Sequence, residues 1–159
     1  MKIEFVVNGI NRTISCEPTD TAWQYISPAG AQDGHCETRR CMRCTILLGG
    51  RPVPACILPA YRLHGMDVVT LEGLGEDELF RDIMRAFDKV GISRCEEVLP
   101  ALVMLAWQLL QEHGPHAEDE IPQWSRSFQS RCAGPDEFER ALRLAAKLRG
   151  RRRNERIRR

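Results

Sequence analysis

Several things missing from this 159-residue chain narrow its class before any motif is read. No apolar run reaches membrane-spanning length, and the opening MKIEFVVNGI carries charges within its first four residues and no sustained apolar core. Neither a bilayer span nor a secretory leader is therefore expected, and the cytoplasm is the expected compartment. There is no GxGxxG, no phosphate-binding glycine loop and no nucleophile elbow, so no separate nucleotide or substrate site is assigned and the chain alone is expected to turn over nothing. An internal repeat is also lacking. Net charge is only +1, while hydrophobic residues at 43% and charged residues at 28% exclude a disordered or fibrous class.

What the chain has is cysteine, seven in all. A reducing compartment does not maintain structural disulfides, and an odd count cannot pair completely, so metal or redox chemistry is the reading. Four of the seven run Cys36-x4-Cys41-x2-Cys44-x11-Cys56. A two-iron cluster needs four thiolates converging on a small volume, and this is the ferredoxin-type spacing that delivers three from one tight loop and the fourth from a neighbouring strand end. The alternative is a Cys₄ zinc site, although those usually pair one CxxC with another, whereas Cys56 stands alone. Cys16 falls on an expected strand and reads as packing.

Residues 2–7 alternate, with Ile3, Phe5 and Val7 on one face; Asn8-Gly9 supplies a turn tolerant of positive φ, and Arg12 to Cys16 is the expected return strand. Asp20 is the expected cap of a short helix reaching about Ile26. Thr45 to Leu48 reads as a strand, Gly49-Gly50 as its turn and Val68 to Leu71 as a last strand. Hairpin, helix, cysteine loop and strands follow in β-grasp order.

The pattern changes near Gly73-Leu74-Gly75. Leu79, Ile83, Met84, Phe87 and Val90 recur at helical spacing, and Val98 to Leu110 is apolar on nearly every face, with Pro100 tolerable in its first turn. Ile121, Trp124 and Phe128 mark a third helix; Phe138, Leu142, Ala145 and Leu148 mark a fourth, capped near Asp136. The fold expected is thus α+β: a β-grasp ferredoxin-like domain over residues 1–75, a small four-helix bundle over 76–148, and a basic tail over 149–159. From Lys147 onward eight basic residues face only Glu155, so the rest of the chain is net acidic. Without interleaved aromatics or a basic face to extend it, that end reads as a solvated or partner-docking terminus rather than a nucleic-acid arm.

Over almost its whole length apart from that end, the chain resembles the small iron–sulfur subunit of the molybdenum hydroxylases, the xanthine dehydrogenase and carbon monoxide dehydrogenase family. The stretch CTILLGGRPVPAC resembles the family's strand, turn and fourth ligand. The resemblance implies a ferredoxin-like domain with one 2Fe–2S cluster and a helical domain with a second. Electrons would pass from a molybdenum subunit through the second cluster to the first, then to FAD on a third subunit. Cys36, Cys41, Cys44 and Cys56 match the first cluster's ligands one by one. The family's loop is glycine-rich, whereas this one reads CETRRCMRC, with Glu37, Arg39 and Met42 in place of glycines.

The second set is incomplete. The family's CGFCTPG resembles Cys95-Glu96-Glu97-Val98-Leu99-Pro100-Ala101, with Val98 in place of a ligand, and its CRCTG resembles Ser130-Arg131-Cys132-Ala133-Gly134, with Ser130 in place of another. Valine cannot ligate iron, so one 2Fe–2S cluster is the expected cofactor. Cys95 and Cys132 then read as helical-core residues or, with Glu96, Glu97, His113 or His116, as a mononuclear site. His35 precedes the first ligand and reads as a solvated loop residue or a neighbour tuning the cluster; His64, His113 and His116 are expected in loops. Arg39, Arg40 and Arg43 put positive charge in the cysteine loop and would favour a reduced cluster.

The function implied is electron transfer inside a heteromeric oxidoreductase whose larger subunits carry a molybdenum cofactor, FAD or both. A structural or assembly subunit that no longer transfers electrons is the alternative.

Overall fold

The computed structural model describes residues 1–26, 41–94, 98–128, 130 and 133–158, with the side chain of Pro115 left aside. The described chain forms two units, Met1–Leu74 and Gly75–Arg159.

In the first unit β1 (Lys2–Val7) and β2 (Ile10–Ser15) pair antiparallel around Asn8 and Gly9, at φ 50° and 79°. Both central residues of such a tight hairpin need positive φ, which an Asn-Gly pair accepts. The two-residue turn pairs Val7 with Ile10, so the return strand begins at Ile10 rather than at Arg12. Ile3, Phe5 and Val7 are buried, as the alternation requires. A short helix α1 (Trp23–Ile26) follows.

Asp20 does not cap α1. Its carboxylate accepts from the Glu17 N–H at 2.7 Å and from the Tyr25 hydroxyl at 2.5 Å, which pushes the Tyr25 phenol up to about 12. Thr21 is held in an isolated bridge to Pro59, which keeps the chain extended until Trp23.

The remaining strands are β3 (Thr45–Leu48), β4 (Arg51–Pro54) and β5 (Asp67–Val69), giving a mixed sheet of order β2-β1-β5-β3-β4. β5 lies parallel to β1, and the other neighbours pair antiparallel. Pro52 and Pro54 are tolerated because β4 is an edge strand. β5 stops short of Leu71 because the Thr70 N–H is taken by Asn8 Oδ1 at 2.9 Å. A Cβ at Gly73 would collide with the Asn8 side-chain amide and push it off its bond to Thr70.

The second unit contains α2 (Glu78–Val90), α3 (Leu99–His113), α4 (Ala117–Ser127) and α5 (Pro135–Ile157). Asp77 caps α2 by accepting from the Phe80 N–H at 2.8 Å, and Gly91 at φ 90° ends it. α5 packs on α2 and α4, and α3 packs on the same two helices. Phe87, Leu102, Met104, Leu109, Leu110, Ile121, Phe138 and Leu142 are fully buried between them.

In the helical unit, too, details differ from expectation. Phe128 lies just past α4 in extended backbone, although its ring still meets Phe138 at 6.0 Å. α5 starts at Pro135, with the Gly134 N–H donating to Glu137 Oε2 at 3.0 Å, so Asp136 sits inside the first turn. His113 ends α3 rather than lying in a loop, its ring edge-on to Trp124. Residues 149–157, expected in a basic tail, continue α5. Acidic side chains of α2 explain that extension: Arg152 and Arg156 each reach Glu78 at 2.6 Å, and Arg152 Nη2 lies 2.9 Å from Asp82 Oδ2. The Asp82 contact is ionic rather than a well-aligned hydrogen bond, and burial pushes its carboxyl up against the pull of Arg152.

Candidate metal centre

The hairpin of β3 and β4 brings distant cysteines together. Its last cross-strand pair is Thr45 with Pro54, so the residues just outside it, Cys44 and Ala55, sit opposite one another, and the Ala55 N–H donates to the Cys44 carbonyl at 3.1 Å. Cys56 follows directly, and its N–H donates to Cys44 Sγ at 3.4 Å. The Trp23 N–H donates to the Ala55 carbonyl at 3.2 Å, tying α1 to the same turn.

Burial grades across the three described cysteines of the ladder. Cys44 and Cys56 are buried against a core that includes Ala22, Ile26, Ile46 and Leu63, whereas Cys41 is half-buried at the bend before β3. Between Cys41 and Cys44 the chain passes through Met42 at φ 59°, a left-handed conformation that glycine adopts freely and methionine does not. Arg43 is exposed.

Cys36 lies outside the described residues, with His35, Glu37, Arg39 and Arg40. Among the described residues no three of His, Cys, Asp or Glu gather into a ligand set. The bond from the Cys56 N–H to Cys44 Sγ brings these two residues together at the end of the hairpin, with Cys41 one short loop away, and thiolates are donors that suit a thiophilic metal. Cys16 is a core residue, its backbone fastened to Met1.

Sequence reasoning missed Thr45. Its hydroxyl donates to the Met42 carbonyl at 2.6 Å, the same oxygen its own N–H reaches at 3.1 Å, and it is 4% exposed. The available signal was its place directly after a candidate ligand in a short apolar strand, where a hydroxyl must find a partner. His64, to which no role was given, accepts the Glu4 N–H at Nδ1 and links β1 to the segment before β5.

In the helical unit Cys95, Glu96, Glu97 and Cys132 lie outside the described residues. Val98 precedes α3 with no side-chain cap. The Ser130 hydroxyl donates to the Ala133 carbonyl at 3.1 Å and accepts the Ala133 N–H at 2.9 Å, bracing the turn into α5. His116 is exposed.

No family model matches the chain. It is 31% identical over 120 residues to a probable xanthine dehydrogenase subunit of Bacillus subtilis, covering 74% of this chain and 68% of that protein. To the nicotinate dehydrogenase small FeS subunit of Eubacterium barkeri it is 26% identical over 147 residues, 90% of this chain and 93% of that one. It spans only 14% of the length of the aldehyde oxidoreductase of Megalodesulfovibrio gigas, to which it is 25% identical. In fold it is similar to a chain of quinoline 2-oxidoreductase from Pseudomonas putida 86, with a TM-score of 0.73 over 95% of this chain and 96% of that chain at 24% identity.

Proposed function

Because this chain belongs to the family of small iron–sulfur subunits of the molybdenum hydroxylases, its role is electron transfer within a heteromeric oxidoreductase, and we propose that one 2Fe–2S cluster held by Cys36, Cys41, Cys44 and Cys56 performs it. The observation that carries this reading is the Cys44–Cys56 pairing at the end of the β3–β4 hairpin, with a backbone N–H already directed at sulfur. Such donors are what surrounds an iron–sulfur cluster and tunes it. When bound, the cluster takes up and releases single electrons.

The chain's own residues supply the rest. Cys44 and Cys56, buried against the apolar core, and the half-buried Cys41 would hold the cluster together with Cys36. We assign the first unit to a ferredoxin-like β-grasp domain, residues 1–75, and the second to the helical domain of the family, residues 76–148. The helical domain carries no cluster in this reading, since Val98 has no donor atom and the Ser130 hydroxyl is engaged with Ala133. The partners are larger subunits with a molybdenum cofactor, FAD or both. No described helix is long and apolar enough to cross a membrane, and the cysteine content favours the cytoplasm as the working compartment.

Ligand substitution tests the assignment. Cys44→Ser should abolish or severely perturb the visible absorption of the cluster, while Cys132→Ala should leave iron content unchanged. Loss of iron in Cys132→Ala would restore a metal to the helical unit and overturn the single-cluster assignment.

A further inference from the structure

A left-handed backbone is costly for any residue bearing a Cβ, and methionine has no short polar side chain to offset that cost locally as asparagine can. Met42 nonetheless adopts φ 59° between Cys41 and Cys44. Its carbonyl is gripped twice by Thr45, by the hydroxyl at 2.6 Å and by the backbone N–H at 3.1 Å. The backbone bond is available to any residue at position 45 except proline; the hydroxyl bond is not. Thr45 is 4% exposed, so its hydroxyl has no bulk water to turn to and the bond is made in a medium that strengthens it.

We infer that Thr45 is a positioning residue: its buried hydroxyl holds the Met42 carbonyl and thereby stabilises the left-handed turn that sets Cys41 relative to Cys44. The inference rests on the cluster reading above for its purpose, but the clamp itself is a property of the chain. The Cys44 side of the site is anchored by the Cys56 N–H and by the β3–β4 pairing. Cys41 lies at a bend outside the strands, and the turn through Met42 is the described link between it and Cys44. A hydroxyl that merely satisfied itself would not care which residue occupies position 42. A clamp would, because glycine needs no help to be left-handed.

The test is a double-mutant cycle over Thr45→Val and Met42→Gly in the full chain, with Thr45→Ser as the conservative control. Iron transfer to a chelator and the paramagnetic resonance line shape of the reduced protein are the readouts. With Met42 present, Thr45→Val should release iron about fivefold faster, the factor expected for one lost hydrogen bond, and should broaden the signal. Thr45→Ser should behave as wild type. In the Met42→Gly background the same Thr45→Val change should alter release by less than about twofold. Equal effects in both backgrounds, or no effect in either, would overturn the clamp. Should wild type hold no iron, the cluster reading fails separately, and the cycle is scored on the thermal midpoint of the metal-free chain. There Thr45→Val must lower the midpoint more with Met42 than in the Met42→Gly background, and equal shifts overturn the clamp.

Discussion

The sheet unit and the helical unit differ in what fills their centres. In the sheet unit the buried core includes Cys16, Cys44 and Cys56, with alanines, Ile46 and Leu63 around them and Phe5 as its buried aromatic. The helical unit closes over Phe87, Phe138, Leu102, Met104, Leu109 and Leu110, all shielded from solvent, and Phe87 meets Phe138 edge to face at 6.2 Å. Among the described residues, the core of the sheet unit includes thiols, whereas that of the helical unit is mainly hydrocarbon. Small domains gain most from such a metal, because their buried area alone leaves little net stability. The contrast accords with the proposal that Val98 and Ser130 stand in place of ligands in the helical unit, while the sequence keeps the ladder Cys36, Cys41, Cys44 and Cys56.

The largest expected effect therefore comes from removing iron. Chelation under reducing conditions should strip hydrogen-exchange protection from the β3–β4 hairpin and leave α3 protected, as peptide-resolved exchange would read out. Equal loss in both units would break the contrast. Next in size, Phe138→Ala should destabilise the helical unit by about 3–5 kcal/mol while iron content stays at the wild-type level. A denaturant series followed by helical ellipticity and by cluster absorbance separates the two.

A smaller effect, about 2 kcal/mol, is expected for Arg152→Ala, which removes the ion-pair partner of buried Asp82; Arg85 and Arg149 still act on that carboxylate, and Arg152 itself keeps 25% side-chain exposure, both of which limit the loss. Burial raises the Asp82 carboxyl above its ordinary value. The folded state thus binds that proton more tightly than the unfolded chain, and the cost of the charge, present above the folded value, fades as pH falls into the ordinary carboxylate range. The penalty of Arg152→Ala should accordingly be greatest near neutral pH and shrink on acidification. Adding Asp82→Asn should reduce that pH dependence to the part due to the Arg152–Glu78 pair, and chemical denaturation across pH would check both.

The same contrast governs how much was legible beforehand. Strong local signals carried over: Asn8-Gly9 and Gly49-Gly50 both turn with positive φ, and the apolar spacing from Leu79 to Val90 became α2. Boundaries set by tertiary partners did not. Asp20 is diverted from α1 by Tyr25, and α5 runs on to Ile157 because Glu78 and Asp82 receive its arginines across α2. At the candidate site the cysteine ladder is read from spacing alone, whereas the bond from the Thr45 hydroxyl to Met42 was not legible. A side chain reaching back three residues to a carbonyl leaves no periodic trace. Residue 42 was legible only as a departure from glycine; its left-handed conformation comes from the folded loop.

The central claim, one cluster in the sheet unit and none in the helices, is tested most directly by paramagnetic resonance of the dithionite-reduced protein alongside iron and acid-labile sulfide analysis. The account predicts about two irons and about two sulfides per chain, with one rhombic S = 1/2 signal. Two resolvable signals with about four irons, or a chain that binds zinc and no sulfide, would contradict it.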